Sequence, residues 1–513
     1  MVVLPGYAVQ AGKAHMSDEV AVIGGGLGGL SAAVTLAQRG ARVVLFEKEP
    51  QVGGYAIAFR RQGYTFDLSL HVVPSGAPGA EFSRLNTGLG IAGEVTLLRL
   101  EQGFRVCMGD SDFQMPNDVD ALFAKLQAEF PAESRGLRAL RRNLEGHARV
   151  YVPLFDATVS KWRSVPPFLL RLPVFLQHTV LDSKRYVNRY VQDPRLRTIL
   201  FQPAALMGVP MDHLPTVNFI MMFSIMLGGG MYTIKGGGQA VTDALERRFL
   251  ALGGTIRTGS EVDKIVVRQG VAVAVRTRAG SEHAVAGVIA GVSPYVLTQH
   301  LIGVEHFPAA YLEALRTLRP SMSAAVVSLG LDCHPRALGI HNHMTLLIPA
   351  ADVGGSQCPP PGSLRLPGFA VTARGVTEPE ADPGWGHTLS IVGLANLAPW
   401  QALSPEEYRQ RKEELIDDVV QRLGQQFPGL PAHIRVRNAA TPVTMARYTA
   451  NPEGAIAGFD CSCGMHRNIL RVKKLPLRNV HLAGAWTDRL GGFMQSIRAG
   501  VEAGEALARG MGR

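Results

Sequence analysis

Residues 19–49 constrain this chain more than any other stretch: EVAVI, then GGGLGG, then LSAAVTLAQRG, then ARVVLFEKE. A β-branched run ends at once in glycines. A small-residue helix follows, closed by Gly40, a residue type suited to a helix C-terminus. A second apolar strand comes next. Strand, turn, helix and strand within about 30 residues form a right-handed crossover, which requires a parallel sheet. Gly24, Gly26 and Gly29 fit Gly-x-Gly-x-x-Gly. Among 57 glycines the pattern alone is weak, and its register with strand and helix is what makes it informative. Gly24 allows the tight turn, Gly26 lets the backbone approach a pyrophosphate, and Gly29 lets helix and strand pack closely. The helix N-terminus offers unpaired N–H groups to phosphate. Glu47 ends the second strand. Its carboxylate can accept both hydroxyls of an adenosine ribose and would repel a 2′-phosphate, which argues against NADP. The stretch reads as a dinucleotide site.

Hydrophobic residues make up 46% of the 513, enough for a large core and for two or three domains. The formal charge is +10. No Lys/Arg run or basic-aromatic module marks a nucleic-acid reader, so a weak attraction to a membrane surface is the expected use of the charge. Five cysteines, an odd and sparse set, argue against a disulfide framework and fit a reducing cytoplasm. Cys461-Ser-Cys463 lacks a second pair, and no metal site is expected. Residues 1–16 lack the pattern of a secretory signal. No apolar run reaches the length of a spanning helix. Residues 76–160 read as loops and polar helices, with helical periodicity over 130–155. Residues 165–231 are strongly apolar, either a buried helical subdomain or a lid that lines a lipophilic cavity or touches a membrane. Met207, Met221, Met222, Met226 and Met231 stand there, as core or as the wall of a polyene tunnel. Residues 350–385, rich in Gly and Pro, read as a loop or linker. Ser404 and Glu407 are spaced as a capping box opening a helix over 404–427.

The choice between FAD and NAD turns on neighbouring residues. Gly53-Gly54 follow Glu47, then Tyr55, Phe59, Arg60, Arg61 and GYTFD (63–67). This combination resembles the flavin-dependent amine oxidase and phytoene desaturase superfamily. NVHLAGAWTDRLGGFMQSIRAGVEAG (479–504) is similar to its closing flavin motif, and SEVDKI (260–265) to the strand that meets the adenine. IKGGGQAVTDAL (234–245), FDLSLH (66–71) and TPVTMARYTANPEGAIAGF (441–459) are most similar to the phytoene desaturase, carotenoid isomerase and retinol saturase branch. The chain departs from that pattern at Ser69, at Asp488-Arg489-Leu490 and at AGVSPY (290–295).

The resemblance implies an α/β fold of the glutathione-reductase-like, amine-oxidase type: a Rossmann-type FAD-binding domain, a mixed-sheet substrate domain and a helical lid. The expected boundaries are 17–80, 229–300 and 468–513 for the FAD-binding domain, 81–125 and 301–467 for the substrate domain, and 126–228 for the lid or membrane-contacting part. The implied FAD ligands are Gly24, Gly26, Gly28, Gly29, Glu47, Lys48, Gly53, Gly54, Arg60, Val262, Gly484, Asp488 (or Thr487), Gly492, Phe493 and Met494. His71 and Lys235 are the polar candidates near the flavin ring. The implied activity is an FAD-dependent oxidoreductase that desaturates or saturates C–C bonds of a hydrophobic polyene or isoprenoid by hydride transfer with flavin N5. Such chemistry needs no strong base, because a polyene delocalises the developing cation. Three alternatives stand beside it. One is a flavin-dependent cis-trans isomerase. A second is an amine oxidase, for which Trp486 and Phe493 would have to frame the flavin. The third is a non-catalytic prenyl-protein escort. The expected setting is cytoplasmic, with peripheral contact at the inner face of the cell membrane. No oligomeric state is read from the sequence.

Overall fold

The computed structural model describes residues 18–68, 72–155, 165–205, 207–350, 358–378, 387–487 and 491–513. At its centre five parallel strands lie in the order Thr255–Arg257, Arg42–Phe46, Glu19–Ile23, Gly287–Ala290, Val480–Leu482. Its strands thus come from three distant parts of the chain. Both faces are covered, which is why these strands read as continuous apolar runs. Val20, Val22, Val43 and Leu45 pack with Leu30, Val34, Ile497 and Leu507, from the helices Leu27–Gln38 and Phe493–Gly510. Ala21, Ile23, Val44 and Phe46 point the other way, into a core with Val262, Ile265 and Val275. That second layer is the antiparallel sheet of Val262–Arg268, Val271–Thr277 and Glu282–Ala284.

A larger mixed sheet has seven strands, in the order Ile434–Ala440, Ser323–Leu331, His387–Ala395, Phe369–Ala373, Met344–Ile348, Gln102–Met108, Ser111–Pro116. One face packs Val327, Leu329, Leu389 and Ile391 under Leu415, Val419 and Leu423 of the helix Pro405–Gln426. The Ser404–Glu407 capping box is formed. The opposite face carries Ser328, Ser390 and Thr372 in register. It meets the hairpin Ala58–Arg61/Tyr64–Asp67: Ser390 Oγ donates to the Asp67 carbonyl at 3.0 Å, and Tyr64 Oη to the Leu331 carbonyl at 3.2 Å.

Two segments differ from their sequence reading. Residues 76–160 hold the strands Gln102–Met108 and Ser111–Pro116: the first is buried nearly throughout and so shows no alternation, and the second is a short edge strand. Within 350–385 the run Phe369–Ala373 is a central strand, hidden by the Gly and Pro around it. The expected helix over 130–155 is Ser134–Phe155. In the apolar stretch, Pro194–Ala205 and Thr216–Gly228 are core helices, and all five methionines are buried in the core.

Candidate cofactor site

The glycine turn leaves its strand with Gly24 at φ +94°, its N–H donated to the Phe46 carbonyl at 2.8 Å. A Cβ on Gly29 would stand 1.9 Å from the Gly24 carbonyl oxygen, so the helix reaches the strand only through a glycine. Gly26 is the N-cap of Leu27–Gln38, and no side chain caps that end. A Cβ on Gly26 would meet nothing within 4 Å, which leaves open ground in front of unspent amides. Uncapped helical N–H groups facing open space fit a phosphate.

Glu47 is buried beside this turn. Its Oε2 accepts the Gly25 N–H at 2.6 Å and its Oε1 the Glu49 N–H at 2.9 Å. Main-chain bonds Glu47 N to Arg257 O (2.9 Å) and Ser260 N to Glu47 O (2.8 Å) draw in the strand that begins at Val262. Lys48 lines a cavity with Ser260, Glu261 and Arg278, its Nζ donating to the Arg447 carbonyl at 3.0 Å. Gly53 N–H donates to the Gly25 carbonyl at 2.8 Å, so the Gly53-Gly54 pair lies on the turn.

The end of the chain closes the same site. A Cβ on Gly28 would fall 2.5 Å from both N and Cα of Gly484. The buried Thr487 donates Oγ1 to the Gly484 carbonyl at 2.9 Å. Gly492 (φ +90°) caps Phe493–Gly510 without a side-chain bond, a second helix start with unspent amides. Met494 is buried behind it, and Phe493 packs on Phe82 at 6.1 Å. His71 and Asp488 lie outside the described residues. Two candidates lie on the hairpin and the helix entry whose elements pack beside Gly53-Gly54. Arg60 is exposed on the hairpin and donates Nε to Thr65 Oγ1 at 3.2 Å. Lys235 is exposed at the turn entering Gly237–Ala251, its N–H on the Thr96 carbonyl at 2.9 Å.

Beside Lys235 the structure assembles a buried charge cluster that sequence reasoning missed. Arg374 donates Nη1 to Asp67 Oδ2 at 2.9 Å, and Nε and Nη2 to the two oxygens of Glu378 at 2.9 and 3.0 Å. The glycine turn supplies two more donors: Gly238 N–H to Asp67 Oδ1 (3.3 Å) and Gly236 N–H to Glu378 Oε2 (3.2 Å). Burial pushes the Asp67 carboxyl up to about 6, against the pull of Arg374. Asp67 was visible as the acid of FDLSLH, whereas Arg374 and Glu378 fell in the stretch read as a linker. Among the described residues, Asp332, Cys333 and His433 are spaced as metal ligands, but Asp332 is already engaged by Arg435 and by His433 Nδ1 at 2.7 Å.

A parallel sheet, a tight glycine turn on an uncapped helix, and a buried acid at the second strand's end define a protein of the dinucleotide-binding α/β class. The chain belongs to the flavin containing amine oxidoreductase family, whose model matches residues 27–508. It is 26% identical over 480 residues to prolycopene isomerase 2, chloroplastic, of an Oncidium hybrid cultivar, covering 88% of this chain and 77% of that one. It is 22% identical over 525 residues to all-trans-retinol 13,14-reductase of Danio rerio, covering 95% and 86%. Cyclohexylamine oxidase from Brevibacterium oxydans shares the fold at a TM-score of 0.62 and 15% identity, covering 96% of this chain and 99% of that one.

Proposed function

We propose that this chain is an FAD-dependent oxidoreductase acting on C–C bonds of a hydrophobic polyene or isoprenoid, by desaturation or saturation. The observation that carries the reading is the contact of Gly28 with Gly484, which makes the first and last glycine motifs walls of one site. Glu47 would supply an acceptor for the ribose hydroxyls, and the uncapped helix starts at Leu27 and Phe493 would offer their amides to the cofactor. When bound, FAD supplies the hydride acceptor or donor at N5. The chain's part is to hold it, to exclude water, and to present the Lys235 turn at a backbone position set by Asp67, Arg374 and Glu378. The substrate class rests on the prolycopene isomerase and retinol reductase relatives.

Isomerisation is the second reading, favoured by the prolycopene isomerases among the relatives. The amine oxidase reading loses its aromatic frame. Trp486 is buried against Phe459 (5.0 Å) and Tyr295 (5.8 Å), with Nε1 on Asn451, while Phe493 belongs with Phe82. The intact turn and acid count against an escort, which has no need of a phosphate site. A cytoplasmic setting accords with five free cysteines, and cell fractionation tests it. The test of activity is product mass after incubation with a panel of polyenes. A change of two hydrogens supports desaturation or saturation. Unchanged mass with altered retention supports isomerisation. No conversion of any polyene by the FAD-loaded protein contradicts the reading.

A further inference from the structure

One end of the seven-stranded sheet gathers side chains that the cofactor site does not use. Ser323–Leu331 runs out into Asp332 and Cys333, and its antiparallel neighbour Ile434–Ala440 begins just after His433. The Asp332 N–H donates to the His433 carbonyl at 3.1 Å, so the two strand ends are tied main chain to main chain. That pairing brings a carboxylate, a thiol and an imidazole together from distant parts of the chain. One ligand-type atom of each lies within 4.8 Å of the others.

The engagement of Asp332 prepares this cluster instead of closing it. Arg435 holds Oδ2, and His433 Nδ1 lies 2.7 Å from Oδ1. A carboxylate that binds metal through one oxygen is steadied by a hydrogen bond to the other, and Arg435 is placed to give it. The Nδ1–Oδ1 contact rests on one proton. When the neutral imidazole carries that proton on Nε2, a lone pair on Nδ1 turns inward. Cys333 makes no side-chain hydrogen bond among the described residues, so its sulfur has no partner to give up. Asp332 is 31% exposed and His433 42%, which lets water reach the cluster. His334, next in the chain, is committed elsewhere. Its Nδ1 accepts the Arg336 N–H at 3.1 Å, and its Nε2 donates to the Gly375 carbonyl at 2.9 Å.

We infer that Asp332, Cys333 and His433 form a zinc site, with water as the fourth ligand. One sulfur, one imidazole nitrogen and one carboxylate oxygen suit zinc, whereas calcium and magnesium take oxygen ligands. In a tetrahedral zinc site such atoms stand roughly 3.3–3.8 Å apart, so the pairs need to adjust by about 1 Å, within reach of side-chain rotation. Binding releases the thiol proton to solvent, and nothing is oxidised or reduced. The ion would brace two strand ends of the mixed sheet. Through His334 and Gly375 it would also abut Arg374, which reaches the cofactor domain at Asp67.

The test is titration of the untagged, FAD-loaded full chain, first stripped of metal by a chelator. Zinc binding is followed by calorimetry and cobalt(II) binding by absorption. One zinc per chain is expected. Cobalt should show the visible bands of a tetrahedral site and a near-ultraviolet thiolate-to-cobalt transition. Cys333→Ser and His433→Ala should each weaken zinc at least about tenfold, since loss of even an outer partner costs that much. Cys333→Ser should also abolish the thiolate transition. Cys463→Ser, in the cavity beside His213, is the control and should change neither readout. Flavin content and far-ultraviolet dichroism check that the variants fold. No zinc binding, zinc binding that neither Cys333→Ser nor His433→Ala weakens, or the spectrum of an octahedral oxygen site overturns the inference. So does a thiolate transition lost in Cys463→Ser and kept in Cys333→Ser, which assigns the metal to the other thiol. Metal binding requires no turnover, so failure here leaves the proposed activity standing, and failure to convert any polyene leaves this site standing.

Discussion

Gly28 and Gly484 meet backbone to backbone, so closely that a methyl group on Gly28 would fall 2.5 Å from the main chain of Gly484. The contact joins the helix after the first strand to the end of the last strand of the same sheet, and Gly500 on the final helix completes it by facing the Gly28 carbonyl. Gly28→Val is expected to destabilise the apoprotein by about 2 kcal/mol or more, since backbone cannot yield as a side chain does. Thermal melting checks this, and an unchanged melting temperature contradicts it.

Gly26 is the contrasting position, with open space where its Cβ would be and an ordinary φ of −69°. Gly26→Ala should leave the apoprotein's melting temperature unchanged and weaken FAD binding at least about tenfold, because the methyl occupies ground the pyrophosphate needs. Calorimetric titration with FAD measures it. Wild-type affinity places the phosphate elsewhere.

Glu47 holds the turn through the Gly25 N–H and offers the ribose its remaining lone pairs. Glu47→Ala removes a charge-assisted bond worth roughly 1.5–3 kcal/mol, enough to lower FAD affinity by one to two orders of magnitude. Glu47→Gln, which keeps the shape, should lose less. FAD retained in full by the alanine variant contradicts the role.

The first of these features was legible in the sequence because it is local. Strand, glycines, helix and acid follow one another within 30 residues, and each glycine's task follows from steric needs that neighbours in sequence create. The long helices at 134–155 and 404–427 were legible for the same reason. What was not legible is whatever depends on register between distant strands. Phe369–Ala373 has the composition of a strand, but its Gly- and Pro-rich flanks masked it, and Arg374 and Glu378 passed unseen with it. The methionines at 207–231 were equally compatible with tunnel and core, since apolar composition does not state which neighbour fills the space. Arg60, a cofactor ligand implied by the resemblance, has its Nε on Thr65 Oγ1, a partner set by the cross-strand register of the hairpin, which sequence neighbours do not state.

Asp67 links that missed cluster to pH. Its carboxyl stands at about 6 in the fold against 3.8 as its ordinary value, so folding binds a proton in this range. The stabilisation is fully present below about pH 4 and is lost as pH rises through 6, at most roughly 3 kcal/mol. Asp67→Asn removes the titration. Its melting temperature relative to wild type should therefore climb between pH 4 and 7, and parallel curves contradict the assignment.

Arg374 is nearly buried between two carboxylates. Arg374→Met leaves both charges without their cation and should cost about 3–5 kcal/mol at neutral pH, less at acid pH. Arg374→Lys cannot reproduce the forked contact with Glu378 and should recover only part of the loss. Denaturant unfolding at two pH values measures both, and full recovery by lysine contradicts the geometry.

The flavin content of the purified full chain tests the whole account most directly. Denaturation and chromatography of the released cofactor should give FAD at close to one molecule per chain, or reach it after incubation with FAD, with Glu47→Ala well below. A colourless protein that takes up no FAD, or takes it up equally with and without Glu47, contradicts a site built from the Gly24–Gly29 turn, Glu47 and Gly484.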